Sequence, residues 1–410
     1  MYFLGKRAII IAFFLFFRLK KLITMSEYSV LRNKNIYIIF GITLLAVMGV
    51  ASITPAFPSI AEHFQINYKK VGLLIMAFTL PGIFLTPVLG VLADRFGRKT
   101  ILVPALFTFA LAGFACSQAD NYHTLVVLRF IQGIGAASLG SLNVTLIGDI
   151  FSGDQRATAM GFNASVLSIG TALYPFIGGA LTSISWNTPF YFPLMAIPAG
   201  LMVIFILDNP KIHKEDKFFD YLKQTLSSVS QIHVLSLFFL NVLTFIILYG
   251  SYLTYFPLMM KNSFSSGPFI IGVVMSASSI TTAITASFLG KLSKKYRQKD
   301  LLKVAYLLYA LSLAFVPFIQ RESLMLVPVF LFGIAHGINI PNIQTMLVSL
   351  APMKYRAAFM SLNGMVLRIG QTLGPLVAGF FFALGGVNFA FSGGVLVAVV
   401  MLLIVYTLVK

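Results

Sequence analysis

Cysteine occurs once in the 410 residues, at Cys116, which excludes an intrachain disulfide framework and a Cys-rich metal site. Acidic side chains are also scarce: 12 Asp and Glu stand against 30 Lys and Arg, and charged residues make up only 10% of the chain. Soluble domains carry about 25% charge, so a soluble single-core protein is excluded by the same shortage. Disorder is excluded by the opposite excess, since 58% of residues are hydrophobic and the mean hydropathy is +0.90. A net charge of +18 would ordinarily raise nucleic acid as a partner. Such binders display their basic residues on a polar surface, and this chain has little of it, so no nucleic acid is expected. No phosphate-cradling glycine loop ending in Lys-Ser/Thr occurs, which removes ATP as an energy source. Long apolar runs are what remain, and they make the lipid bilayer the expected surroundings.

A helix needs about 20 apolar residues to cross the hydrocarbon core. With that window the chain divides into twelve spans, near 35–57, 71–92, 99–118, 122–147, 157–181, 188–207, 233–257, 267–289, 301–318, 324–348, 357–384 and 387–409. Membrane β-barrel strands are short and alternating, so an all-α integral membrane protein is predicted. Placing both termini in the cytoplasm puts 24 of the basic residues on that side and four outside: Lys69, Lys70, Lys261 and Arg321. The positive-inside rule favours this orientation. Arg129 and Arg368 fall inside spans. Residues 1–34 form a cytoplasmic leader, of which 1–24 read as an over-extended start or interfacial segment, because Met25 offers an alternative beginning and no small-residue cleavage site follows Ala8–Phe17.

Aligned with itself at an offset of 200, the chain matches without gaps. Over 156–181 against 356–381, eleven of 26 positions are identical, among them Asn163/Asn363, Gly170/Gly370, Pro175/Pro375 and Gly179/Gly379. The same offset pairs Gly72 with Gly272 and Gly90 with Gly290. Apolar composition produces Leu and Val coincidences but not aligned Gly, Pro and Asn. The expected architecture is two parallel six-helix bundles, 35–208 and 233–410, joined by a charged cytoplasmic connector at 209–232. In parallel-repeat transporters the binding site lies between the repeats near the midplane.

Between the second and third spans stands Gly90-Val91-Leu92-Ala93-Asp94-Arg95-Phe96-Gly97-Arg98-Lys99. This resembles the G-x-L-a-D-r-x-G-r-k signature of the major facilitator superfamily at every defined position. The second half keeps Gly290 and Leu292 but has Lys294 in place of the acid. The fourth span carries Leu125, Arg129, Gln132, Gly133 and Gly135 in the spacing of the drug–proton antiporters of that family. The fifth span has Gly170-x-x-x-Tyr174-Pro175-x-x-Gly178-Gly179, similar to the antiporter g-x-x-x-G-P-x-x-G-G motif except at Tyr174. Span eleven repeats it as Gly370-x-x-x-Gly374-Pro375-x-x-Ala378-Gly379. The resemblance implies a latch of Gly90, Asp94, Arg95, Gly97, Arg98 and Asp149 that stabilises an outward-facing state. It implies a proton-transfer role for Arg129, and a hinge or close-packing role for Gly170, Pro175, Gly179, Gly370, Gly374 and Pro375.

The repeat is also informative where it breaks. Ser168 corresponds to Arg368, and Ala136 to His336. Ionisable groups at membrane depth demand partners or a wet cavity. Arg368 and His336 are therefore expected to line a central cavity, with Arg368 facing an anionic substrate group and His336 a proton-coupling candidate beside Arg129. Asn163, Asn363, Gln371, Asn339, Tyr249 and Tyr252 extend that candidate cavity. No acid lies in the first span, where many such antiporters have one, so coupling through a first-span carboxylate is excluded. The expected function is proton-coupled efflux of small amphipathic or anionic organic compounds by alternating access, from a monomer, with no cofactor, no metal and no covalent chemistry. Uptake of an organic anion is the transport alternative, and a non-transporting receptor on the same scaffold is another.

Overall fold

In the computed structural model the described residues are 25–208, 231–350 and 356–409, with side chains described from 27 and, in the last segment, from 362. The leader 1–24 and nearly all of the expected connector lie outside them. All regular structure among the described residues is helical, as hydrocarbon requires of a chain that must satisfy its backbone internally.

Ten segments are long and apolar enough to cross a bilayer: α1 Lys34–His63, α2 Tyr68–Phe96, α3 Arg98–Cys116, α4 Tyr122–Ile150, α5 Gly153–Thr182, α6 Thr188–Phe205, α7 Ile232–Phe264, α8 Pro268–Lys295, α9 Gln298–Phe318 and α10 Glu322–Leu350. An eleventh stretch, Leu362–Thr407, has 46 residues. At 1.5 Å per residue it would be about 69 Å long, more than twice the hydrocarbon thickness. It is two spans, because Gly385 (φ −166°, ψ 29°) and Gly386 (φ 76°, ψ −162°) leave the helical region in mid-run. The Gly386 conformation is one that side-chain-bearing residues do not adopt. Residues 356–384 are numbered α11 and 387–407 α12. The twelve expected spans are present, with ends shifted by several residues.

Sequence chemistry marks the ends. Asn33, Asn67 and Asn121 cap the starts of α1, α2 and α4, each side chain accepting from a backbone N–H in the first turn. Gly97, at φ 97°, makes the tight turn from α2 to α3. Three spans are internally irregular. In α1 a 3₁₀ turn at Thr54–Ala56 precedes Pro58, and α4 is interrupted between Ala136 and Leu139. In α7 the helix is π-wound over Ile247–Tyr255. Pro257 follows it and supplies no N–H to the preceding turn. Thr254 donates its hydroxyl to Tyr249 O five residues back, at 2.6 Å.

Two hydrophobic cores follow the repeat. One holds Ile39, Phe78, Phe109, Leu142 and Phe190 from α1–α6; the other holds Leu240, Met275, Tyr309, Phe332 and Phe391 from α7–α12. The halves meet where α2 packs on α11 and α5 on α8. These are equivalent contacts under the repeat. A Cβ on Gly72 would lie 2.8 Å from Pro375 Cβ, and one on Gly272 would lie 2.2 Å from the Pro175 carbonyl oxygen. Gly72/Gly272 and Pro175/Pro375 are the residues that the offset of 200 aligns, so the best-matched positions are where the bundles touch.

Several of the contacts that join the halves lie toward one face of the molecule. At its rim Lys261 Nζ is 3.1 Å from Glu62 Oε1, and Tyr68 donates to Asn262 Oδ1 at 3.1 Å. Phe176 and Phe269 meet edge to face, with ring centroids 5.4 Å apart. The opposite face carries Asp94 and Asp149, near the ends of α2 and α4. The bundles are thus tied together at the Glu62 face.

Candidate functional site

Each half is first braced internally by neutral polar residues at membrane depth. In the first bundle Thr43 of α1 donates to Asn163 Oδ1 of α5 and accepts from Asn143 Nδ2 of α4 at 2.7 Å. In the second, Asn241 Nδ2 of α7 donates to Asn363 Oδ1 of α11 at 2.6 Å. Asn339 Nδ2 of α10 donates to Thr244 Oγ1 of α7 at 2.8 Å. The aligned pair Asn163 and Asn363 thus does the same work twice, tying the fifth helix of each bundle to its first. Thr43, Asn143, Asn241 and Thr244 escaped the sequence reading, although polar residues inside apolar runs are the signal that finds them.

The Gly-Pro motifs serve both bundle and interface. Gly170 admits Leu44 and Val47 of α1, and Gly178 lies so close to Ser52 that a Cβ would fall 1.8 Å from its carbonyl oxygen. On the other side of the same helix, Pro175 and Gly179 meet Gly272 and Pro268 of α8. In α11, Gly370 packs on Val242 and Gly374 on Gly250 of α7, while Pro375 crosses to Gly72. Gly379 faces the Tyr255 hydroxyl. The Ser/Thr run of α8 packs on α10, where Thr282 donates to Gly333 O at 3.1 Å.

Arg129 is 1% exposed and does not snorkel to water. Its Nε donates to Leu74 O of α2 at 3.3 Å, its Nη1 to Gln132 Oε1 at 2.7 Å, and its guanidinium lies 4.2 Å from the Phe78 ring centroid. Every one of these partners is neutral.

Arg368 has a different setting. It is half-buried on α11 and reaches to the first bundle. A Cβ on Gly82 of α2 would lie 3.2 Å from its Cδ and Nε, and one on Gly140 of α4 would lie 3.8 Å from Nη2. Nη1 donates to Gln371 Oε1 at 3.1 Å. Tyr249 of α7, stacked on Phe245 with centroids 6.0 Å apart, packs on the same helix as Arg368, its Cβ 3.1 Å from where a Cβ on Gly374 would lie. One turn toward the closed face, Thr79 of α2 and Thr372 of α11 share a hydrogen bond of 2.8 Å. Arg368, Gln371 and Tyr249 are therefore gathered between the halves, just below their crossing. Gly82 and Gly140 complete the site and were not singled out in the sequence; their only signal is adjacency to the guanidinium.

His336 and Tyr252 do not join this group. His336 Nδ1 is 2.5 Å from the Tyr309 hydroxyl of α9. Its ring stacks on Phe332, whose other stacking partner is Tyr252, at 4.3 Å between centroids. Both expected cavity residues sit in an aromatic stack inside the second bundle. Repeat comparison finds which residue differs but not which side of its helix it occupies.

At the Asp94 face, Arg98 bonds to Asp94 and, through Nε at 2.9 Å, to Asp149 Oδ2. Arg95 lies over the neighbouring Phe96 ring. Both ion pairs of Arg98 stay within the first bundle. Acids stand at helix ends or outside helices throughout the described residues, and no group of three or more His, Cys, Asp or Glu able to hold a metal occurs among them.

Comparison with known proteins places this arrangement. The family model described as Major Facilitator Superfamily matches residues 39–266 and 237–410. Multidrug resistance protein 2 of Bacillus subtilis (strain 168) is 25% identical over 384 residues, covering 90% of this chain and 94% of that protein. The quinolone resistance protein NorA of Staphylococcus aureus (strain Mu50 / ATCC 700699) is 25% identical over 356 residues, covering 85% and 90%. Among solved structures, the nucleoside transporter NupG superposes with a TM-score of 0.78 at 13% identity, over 92% of this chain and 100% of that one. A bacterial homolog of the human lysosomal transporter Spinster, inward-facing and unoccupied, gives 0.72 at 16% identity, over 90% and 94%. The two-bundle fold is the one these transporters share. With family matches spanning nearly all of its length, the chain belongs to the major facilitator superfamily, whose members are multi-pass membrane transporters of small molecules and not enzymes.

Proposed function

We propose that the protein is a monomeric cell-membrane exporter of small organic compounds, working by alternating access with protons as the coupling ion. The observation that carries it is the pair of equivalent Gly-Pro crossings between the bundles, beside which the halves are tied together at the Glu62 face. Rocking about two like crossings exchanges which face is open without rebuilding either bundle. The basic residues favour the Asp94 face, with both termini, as cytoplasmic, which puts the ties at the Glu62 face on the outer side, as an inward-opening conformation requires. Efflux is favoured by the named activities of the two relatives above and by the motif of α5.

Arg98, held between Asp94 and Asp149, would be the movable part of the latch. As the bundles close at that face, Asp94 becomes free to bond across to the second bundle. Proton coupling has no acid at membrane depth to run through. The candidates are His336 with its partner Tyr309, the boundary acids Asp94 and Asp149, and Arg129 acting through Gln132.

The test is transport in inside-out vesicles with an imposed pH gradient. Interior acidification should drive accumulation of exported compounds. Accumulation only in right-side-out vesicles would establish uptake instead, and absence of flux for every compound would favour a receptor. Replacement of His336 by Asn should flatten the pH dependence of transport; an unchanged profile removes the histidine as the titrating group.

A further inference from the structure

Away from the helix ends, two guanidinium groups lie within the spans, Arg129 and Arg368, and they are used differently. Arg129 is enclosed by a carbonyl, an amide and an aromatic ring of its own bundle. Arg368 stands between the bundles, and among the described residues Gln371 is the only hydrogen-bond partner of its guanidinium. A guanidinium carries five N–H donors in a planar fork. Four of them are thus left for something else: Gly82 admits the stem of the arginine, and Gly140 presents no side chain beside Nη2.

Among the described residues no carboxylate forms an ion pair with that charge. The described acids nearest in sequence to the site's helical segments, Asp94 and Asp149, are engaged by Arg98 at the end of their helices. A positive charge in a low-dielectric cleft favours an anion and disfavours a cation. Glycine at 140 puts no side chain against the edge of the fork that a planar oxyanion would approach. The stacked Phe245 and Tyr249 offer an apolar and amphipathic surface for the body of the same molecule.

We propose that Arg368, flanked by Gly82 and Gly140, is an oxyanion site between the bundles, and that the transported compounds are amphipathic organic anions. Arg368 forms a bidentate pair with a carboxylate or phosphate group. Gln371 holds the fork in place, and the glycines set how much can stand beside it. This rests on the exporter reading and adds the charge of the cargo to it.

The experiment uses the purified full chain and three compounds of one shape: 1-naphthoate, its amide 1-naphthamide and the cation 1-naphthylmethylammonium, with 1-naphthyl phosphate as the alternative oxyanion. Equilibrium binding should favour at least one oxyanion over the amide by about 10- to 100-fold, the range for a charge-assisted pair, and the ammonium should be weakest. Arg368→Gln should erase that preference, and Arg368→Lys should retain part of it by keeping charge without the fork. Gly140→Ala, which leaves the arginine in place, should weaken oxyanion binding more than amide binding. Naphthoate against naphthyl phosphate identifies which oxyanion fits. If neither oxyanion outbinds the amide, or if Arg368→Gln or Gly140→Ala leaves the ratio unchanged, the site is wrong. Gradient-driven export of neutral or cationic dyes that survives Arg368→Gln would leave the exporter standing while overturning the anion site. Absence of all flux, with oxyanion binding intact, would do the reverse.

Discussion

At the scale of single residues, charge inside this protein is tolerated where its surroundings are built for it. Arg129 joins α2 to α4 through a carbonyl, an amide and a ring. Its replacement by Ala should cost about 2–4 kcal/mol from the lost charged hydrogen bonds and cation–π contact. Lys should recover little, since a point charge cannot span the same partners. The melting temperature of the purified variants reads this directly. At the Asp94 face a second residue-scale tie links α1 with the end of α6. Asn35 Nδ2 donates to Asp208 Oδ2 at 3.0 Å, and Lys34 lies 3.2 Å from Asp208 Oδ1. The hydrogen bonds from Asn35 and then Lys34 hold the Asp208 carboxyl below its usual range. A depressed folded-state pKa stabilises the fold above the unfolded value, near 3.9, and that contribution fades as pH falls through the folded value. Melting temperature should therefore drop more steeply on acidification below about pH 4 in the wild type than in Asn35→Ala. Equal slopes would mean that the tie carries no linkage.

At the scale of elements, the crossings are the moving parts. Gly72 and Gly272 let Pro375 and Pro175 approach to distances no side chain would allow. Gly272→Val should force α5 and α8 apart and disfavour closure at the Glu62 face. Labelling of a cysteine at Asn262 by a membrane-impermeant thiol reagent should rise several-fold, in a Cys116→Ser background; unchanged labelling would show that the crossing yields without opening. These positions were legible beforehand, because the offset of 200 aligns them and small residues beside proline mark close helix contact. The partners of His336 were not legible. Periodicity locates a residue along a helix, and only packing decides that its ring turns to Tyr309 rather than toward Arg368. The π-wound segment of α7 was equally hidden, since Pro257 and Gly250 permit several distortions and the fit of Gly250 against Gly374 selects one.

At the scale of the whole molecule, closure at one face rests on contacts between residues far apart in the chain. Glu62 and Lys261 lie at opposite ends of their spans' sequences from any shared motif, yet they meet at 3.1 Å. Cysteines at these two positions, in a Cys116→Ser background, should allow a cleavable bifunctional thiol reagent to stop transport and a reductant to restore it. Full transport in the cross-linked protein would mean that the halves do not separate there. Residue order alone determined the bilayer environment, the twelve spans and the repeat, because apolar run length and the aligned Gly, Pro and Asn are read along the chain without its fold. Tertiary structure alone decided that Arg129 is enclosed while Arg368 is half-buried between the bundles. Both are arginines within apolar helices, and the difference lies in which helix faces pack against them, a non-local matter of shape that no window of sequence contains.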